Sequence, residues 1–225
     1  MKTIKKSFVI FATIMFLLIS GNSFAQKKQS NFGIKGGPLV ARIISDLNGA
    51  DVDTKSKFGF AVFAFYDFYN SKSIVLSGEV GFDQKGYEVD VIDSDTTGAV
   101  IKSGNLKDNL NYLDISANFK YITRGKSASP YFSLTPTLGV YLGHSSSGSV
   151  TGDSLYTNYS ADAIDSLNSI SFSIKIGLGV ELYNIIKNVP VIFEARYNPD
   201  LTQAYNTNNY NIRNSTVEFN LGVKF

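Results

Sequence analysis

The sequence predicts an all-β protein, an eight-stranded antiparallel up-and-down transmembrane β-barrel, and three observations predict it. Apolar and polar residues alternate with period two over eight separate segments. The connections between those segments alternate short and long. No stretch beyond the first two dozen residues is apolar for the roughly 20 positions that a helical span needs. Period-two alternation puts successive side chains on opposite faces of an extended chain. In lipid such strands must close on themselves, because an open sheet edge leaves backbone groups without partners.

The chain begins with a leader. Lys2, Lys5 and Lys6 precede an apolar run from Phe8 to Ile19, and Ser23-Phe24-Ala25 is a small-x-small site. Met1–Ala25 therefore reads as a cleaved signal peptide, leaving 26–225 as a single outer-membrane β-barrel domain. The absence of cysteine removes disulfides, thiol catalysis and thiolate metal sites. A net charge of +2 without a basic block gives no reason to expect nucleic acid.

Taken in order, the strands are expected at Asn31–Ile43, Lys57–Phe68, Ser73–Val89, Leu110–Ile122, Pro130–Gly143, Ser169–Tyr183, Pro190–Asn198 and Arg213–Phe225. The first is glycine-rich. The second is apolar on both faces, so its register stays open. In the fourth, Leu113, Ile115, Ala117, Phe119 and Tyr121 alternate with Asp114, Ser116, Asn118 and Lys120. Pro136 lies mid-way along the fifth, lacks an N–H, and predicts a bulge or bend. In the sixth, Phe172, Ile174, Ile176, Leu178, Val180 and Leu182 alternate with a face that carries Lys175, Gly177, Gly179 and Glu181. The eighth closes the wall, with Val217, Phe219, Leu221, Val223 and Phe225 on one side and Thr216, Glu218, Asn220, Gly222 and Lys224 on the other. Short connections near 69–72, 123–129 and 184–189, against long ones near 44–56, 90–109, 144–168 and 199–212, match periplasmic turns and surface loops.

Alternation alone does not separate a membrane barrel from a soluble one, because the two are inside-out versions of each other. Small residues on the polar face (Gly33, Gly37, Gly81, Gly139, Gly177, Gly179, Gly222) suit the crowded inside of a narrow barrel. Aromatics near strand ends predict two interfacial girdles: Tyr66, Tyr121, Tyr131, Tyr183 and Phe225 toward the turns, and Tyr87, Tyr112, Tyr141 and Tyr197 toward the loops. With the polar face inward, Glu79, Asp83, Asp114, Glu181, Glu194 and Glu218 meet Lys35, Lys85, Lys120, Lys175, Arg196 and Lys224, a lumen charge network of equal acids and bases. Unpaired charge out of water costs several kcal/mol, so the balance fits enclosure. An eight-stranded wall leaves a space that side chains fill, which argues against a wide channel.

Gly33-Ile34-Lys35-Gly36-Gly37, Tyr112-Leu113-Asp114-Ile115, Gly177-Leu178-Gly179-Val180-Glu181 and the closing Phe225 resemble the outer-membrane β-barrel domain of PorT-like proteins, found in a group of Gram-negative bacteria. The resemblance covers the mature chain. It implies a barrel similar to OmpX and the OmpA membrane domain, and its named member implies a link to protein export. Ser116 stands where relatives often carry proline.

Sites for chemistry are sparse. Asp93-Ser94-Asp95-Thr96-Thr97-Gly98 begins like a calcium loop, but position twelve is Gly104 where a bidentate Glu is required. Asp51 and Asp53 have less support still. His144 beside Ser145, Ser146 and Ser147, with Asp153 as an orienting group, is the nearest approach to an acyl-transfer set. A polar rim histidine accounts for it. Gly177-Leu178-Gly179 lies within a strand and lacks the third glycine of a nucleotide fingerprint.

The expectation is therefore an integral outer-membrane protein that is not an enzyme and carries no cofactor or metal. It would act structurally or by surface binding through its long loops. Alternatives are a part in protein export, a narrow small-solute channel, a lipid-acyl-transferring barrel enzyme, or a secreted soluble barrel carrying a lipid. Partners would be outer-membrane lipid, the barrel insertion machinery reading Phe219, Leu221, Val223 and Phe225 by strand addition, and secretion-system or surface partners.

Overall fold

A computed structural model describes residues 31–46, 55–94, 100–150, 167–186, 189–204 and 211–225. The leader, Asp51, Asp53, Asp95–Gly98 and Asp153 lie outside them. Eight strands form a closed barrel in sequence order: β1 (Phe32–Asp46), β2 (Lys57–Asn70), β3 (Ile74–Ser94), β4 (Val100–Ile122), β5 (Ala128–Val150), β6 (Ile170–Ile186), β7 (Val189–Pro199) and β8 (Asn211–Lys224). Every neighbouring pair is antiparallel, and β1 closes on β8 from Gly33↔Lys224 to Asp46↔Asn211. The seam is pinned at the short-turn rim, where Phe225 N–H donates to Phe32 O (2.7 Å) and the two rings stack at 6.4 Å.

The apolar face of each strand points out. On β8, Phe219 and Leu221 are 55 and 56 % exposed while Glu218 and Lys224 are 0 and 3 % exposed. That polarity is the reverse of a water-soluble carrier, whose cavity would hold the apolar set. The soluble lipid-carrier alternative is overturned by it. Outside, Ile34, Val62, Val80, Ile115, Leu134, Ile176, Phe193 and Phe219 form an apolar belt, as a wall bathed in hydrocarbon requires.

β2 takes the register that puts Lys57, Ala61, Phe63, Phe65 and Asp67 inside and Phe58, Phe60, Val62 and Tyr66 outside. Phe63 and Phe65 fit because their neighbours lack side chains. A Cβ at Gly81 would lie 2.3 Å from the Phe63 ring, and one at Gly33 would lie 2.3 Å from the Phe65 ring.

Three expectations are corrected. Pro136 makes no bulge: Ser116↔Thr137 and Phe119↔Leu134 keep one register across it, and Pro136 itself pairs with Ile174. The proline omits rungs toward β4 without inserting a residue. The bulge of β5 lies higher, where Asn111 and Tyr112 face Gly143 and Tyr141; Gly143 takes φ 152°, a conformation that suits glycine. Second, Tyr87, Tyr112 and Tyr131 do not belong to girdles. They are buried, Tyr112 and Tyr131 because their parity is that of Asp114 and Ser133. Tyr66, Tyr121, Tyr197 and Phe225 do face outward and are exposed. Third, much of the connection expected at 90–109, and the start of the next, is strand. β3 pairs β4 up to Ser94↔Val100 and β4 pairs β5 up to Gly104↔Val150.

That third correction changes the silhouette. β2 leaves β3 at Ala61↔Asp83, and β5 leaves β6 at Val140↔Ile170. Beyond those rungs β3, β4 and β5 continue together as a three-stranded antiparallel sheet, rising about 30 Å along the strands above the barrel rim.

Candidate functional site

Two features are candidates: the sealed lumen and the sheet that rises from it. The lumen is built in layers because inward residues recur every second position on strands that are staggered around the barrel.

Nearest the short turns, Lys224 on β8 pairs with Asp67 on β2, and Asp67 also accepts from Ser77 Oγ at 2.6 Å. Beside them Glu181 on β6 lies 4.0 Å from Lys120 and 3.6 Å from Arg124, and accepts from Tyr183 OH at 3.0 Å. The Lys120 ammonium sits 5.1 Å from the Phe65 ring centroid and 5.0 Å from that of Tyr131, a cation–π arrangement in a dry site.

The next layer joins opposite walls. Arg196 on β7 donates to both oxygens of Glu79 on β3 (2.8 and 2.9 Å), four strands away around the barrel. Its Nε lies 2.9 Å from Glu194. Lys35 on β1 bridges the same two carboxylates at 2.7 and 2.9 Å. Asn118 Nδ2 adds a bond to Glu79, and Ser133 Oγ one to Glu194. Two acids and two bases thus neutralise each other, and the fork-to-fork geometry of Arg196 on Glu79 is the strong bidentate kind.

Above it, the Lys175 ammonium on β6 is surrounded by Glu218 (2.9 Å), Asp114 (3.0 Å) and Asp83 (3.1 Å), with the Phe63 ring at 4.4 Å. At the loop end Lys85 reaches Asp200 at 2.7 Å, and Lys57 Nζ donates to Lys85 O at 3.0 Å. Asp200 lies past the end of β7, where burial raises its carboxyl above the usual carboxylate range while the Lys85 ammonium pulls the other way.

Glu79, Asp114, Lys120, Lys175, Glu181, Glu194, Arg196, Glu218 and Lys224 are all buried in the lumen and all take part in these ion pairs. Phe219, Leu221 and Phe225 are exposed on the outer wall, with Val223 half-buried between them. Sequence parity missed four buried ionic residues: Lys57, Asp67, Asp108 and Asp200. With them the described residues bury nine acids and seven bases, so the equality expected from sequence does not hold. For β2 a signal was present, since Lys57 and Asp67 share parity across an otherwise apolar strand. Asp200 had none, being counted with a loop. Chemically the lumen is a set of cross-wall staples and not an open conduit.

The other candidates separate. His144 is exposed on β5, pairs through its backbone with Leu110, and has next to it Ser145, which accepts from Asn109 Nδ2. Asp93 and Gly104 are β-strand residues, with Asp93 paired to Lys102. No group of three or more His, Asp or Glu arranged to hold a metal occurs among the described residues.

The family profile described as outer membrane protein beta-barrel domain matches residues 24–206. No curated protein sequence matches the chain. Among solved structures, the chain is similar to Neisserial surface protein A, with 18 % identity, 88 % of this chain and 100 % of that one covered, and a TM-score of 0.48. It is similar also to Ail, the attachment invasion locus protein of Yersinia pestis (15 %, 88 % and 100 %, 0.41), and to OprG of Pseudomonas aeruginosa (13 %, 88 % and 97 %, 0.43).

Proposed function

Because the chain belongs to the outer membrane β-barrel domain family, we propose that it is a surface-binding protein of the outer membrane that acts without catalysis. The leader Met1–Ala25 would direct its export and be removed. The short turns would lie in the periplasm and the long-loop end outside the cell. The observation that carries the reading is the sheet of β3, β4 and β5 above the rim. Past Val140 no strand pairs with the outer side of β5 among the described residues. An exposed edge of this kind presents a row of backbone donors and acceptors to which an extended segment of a partner can add. The lumen, filled at each level, supports a rigid pedestal in preference to a transport path.

The test is a trimmed protein in which residues 88–106 and 144–150 are shortened to turns. The barrel should still form, judged by compact migration of the unheated sample on a gel. Its binding to a panel of extracellular matrix proteins and to intact cells should disappear. Undiminished binding by the trimmed barrel refutes the reading. Loss of secreted cargo on deleting the gene would replace it by the export role that the PorT-like resemblance implies.

A further inference from the structure

The two acids in excess among the buried residues fall at one level of the lumen. Asp67 is matched by Lys224, Glu181 by Lys120, and Glu79 with Glu194 by Lys35 and Arg196. At the loop end Asp108 and Asp200 are equal in number to Lys57 and Lys85. The remaining level holds Asp83, Asp114 and Glu218 around Lys175, three carboxylates to one ammonium. Enclosing two negative charges without compensation is strongly unfavourable.

The same level carries buried oxygens that make no hydrogen bond. Asp83 and Asp114 each direct Oδ2 at Lys175 (3.1 and 3.0 Å), and Oδ1 of each is buried without a partner. Ser171 Oγ and Ser173 Oγ, on the inward face of β6, are buried and unpartnered as well. Strand pairing brings part of this set together. Gly139 on β5 pairs with Asp114 on one side and with Ser171 on the other. A Cβ on Gly139 would lie 2.8 Å from Ser171 Oγ and 2.9 Å from Asp114 Oδ1, so both oxygens are aimed into the space that glycine leaves. Carboxylate and hydroxyl oxygens, with no nitrogen or sulfur among them, suit a hard cation. Charge selects its valence: a divalent ion brings three carboxylates and one ammonium to neutrality.

We propose that Asp114, Ser171 and Asp83 hold a divalent cation of the calcium type over Gly139, an interior counter-ion that the closing barrel takes up. Only two of these groups are carboxylates, which sets the site apart from the clusters of three or more His, Asp or Glu that the described residues lack. Lys85 and Asp200 close the loop end above this level. The ion therefore enters while the strands assemble, and its binding appears as stability of the fold. The site rests on the inward polarity of the strands and is independent of the protruding sheet.

The test folds the full barrel chain from urea into phosphatidylcholine vesicles, in calcium chloride or in EDTA. It reads the calcium bound to washed proteoliposomes and the urea midpoint of unfolding. Wild type should retain one calcium ion per barrel and unfold at higher urea in calcium than in EDTA. Asp114→Asn should lose the ion, and its two midpoints should coincide. In EDTA it should be more stable than wild type, because Lys175 keeps Asp83 and Glu218 while one uncompensated charge is gone. A carboxylate serving only as a partner of Lys175 would make that variant weaker in both media. Ser171→Ala, which removes an oxygen and no charge, should weaken retention about tenfold, and it carries the comparison should Asp114→Asn not fold. Equal midpoints of wild type in calcium and EDTA overturn the proposal, as does equal calcium on wild type and both variants, the mark of ions gathered at the surface. A midpoint raised by acid to the same extent in both media also overturns it, since protons shared among the carboxylates would then balance the level. A barrel that enters vesicles in neither medium would instead overturn the membrane placement.

Discussion

Replacing Arg196 by alanine is the most informative single perturbation of the lumen. Its guanidinium donates two hydrogen bonds of 2.8 and 2.9 Å to Glu79 and lies 2.9 Å from Glu194 as an ion pair, and all three residues are buried. Removing it leaves two carboxylates with one ammonium, Lys35, so the layer passes from neutral to one uncompensated negative charge. Breaking a buried pair in this way costs about 3–5 kcal/mol. The cost should not exceed that range, because Lys35 and Asn118 remain on Glu79 and Ser133 remains on Glu194. The layer predicts its own rescue. Adding Glu79→Gln to Arg196→Ala leaves Lys35 with Glu194, restores neutrality and should return about 2 kcal/mol, a coupling of the size expected within one ionic network. The assay is urea unfolding in phosphatidylcholine vesicles, read from the fraction that still migrates compactly without heating. An unchanged midpoint for the single variant, or a double variant less stable than the single one, would refute the assignment of these charges to a sealed interior.

Other outcomes follow from the same geometry. Phe219→Arg, an outward charge in the apolar belt, should lower stability in bilayers by about 2–4 kcal/mol at mid-depth, measured by the same urea titration; a soluble barrel would show no such cost. Gly81→Ala should cost about 1–3 kcal/mol by overpacking, since the new methyl would meet both the Phe63 ring and Val62 O at 2.3 Å; circular dichroism melts in detergent would register it. Planar bilayers containing the protein should show no stepwise porin-like conductance, because Lys120, Arg196, Lys175 and Lys85 with their carboxylates occupy successive levels of the lumen. Steady large-conductance channels would contradict that packing.

How much of this was readable from residue order depends on what is local. Alternation is local: whether Glu218 and Phe219 face opposite ways is decided by backbone geometry within a few residues. The eight strands, the closing seam and the inward ionic residues on β1, β3, β4, β6, β7 and β8, Asp108 excepted, were therefore legible. Leu113 through Tyr121 announced their two faces without reference to any other strand. Parity even held the correction for Tyr112, whose position two before Asp114 put it inside although its place near a strand end suggested a girdle.

What remained closed depended on neighbours far away in the chain. β2 is apolar on both sides, so nothing within it ranks its faces. Only the missing side chains at Gly33 and Gly81 make the interior roomy enough for Phe65 and Phe63. The identity of each ion pair was equally hidden. Glu79 meets Arg196 117 positions away because tilt and stagger bring β3 and β7 to one level across the lumen, and that stagger is a property of the closed barrel as a whole. Asp200 looked like loop because its partner, Lys85, lies on the opposite wall. The length of the β3–β4–β5 sheet escaped for a related reason. Its residues past the expected strand ends carry little apolar alternation, and only the pairing between strands defines it. Facing is set residue by residue, whereas pairing is set by closure.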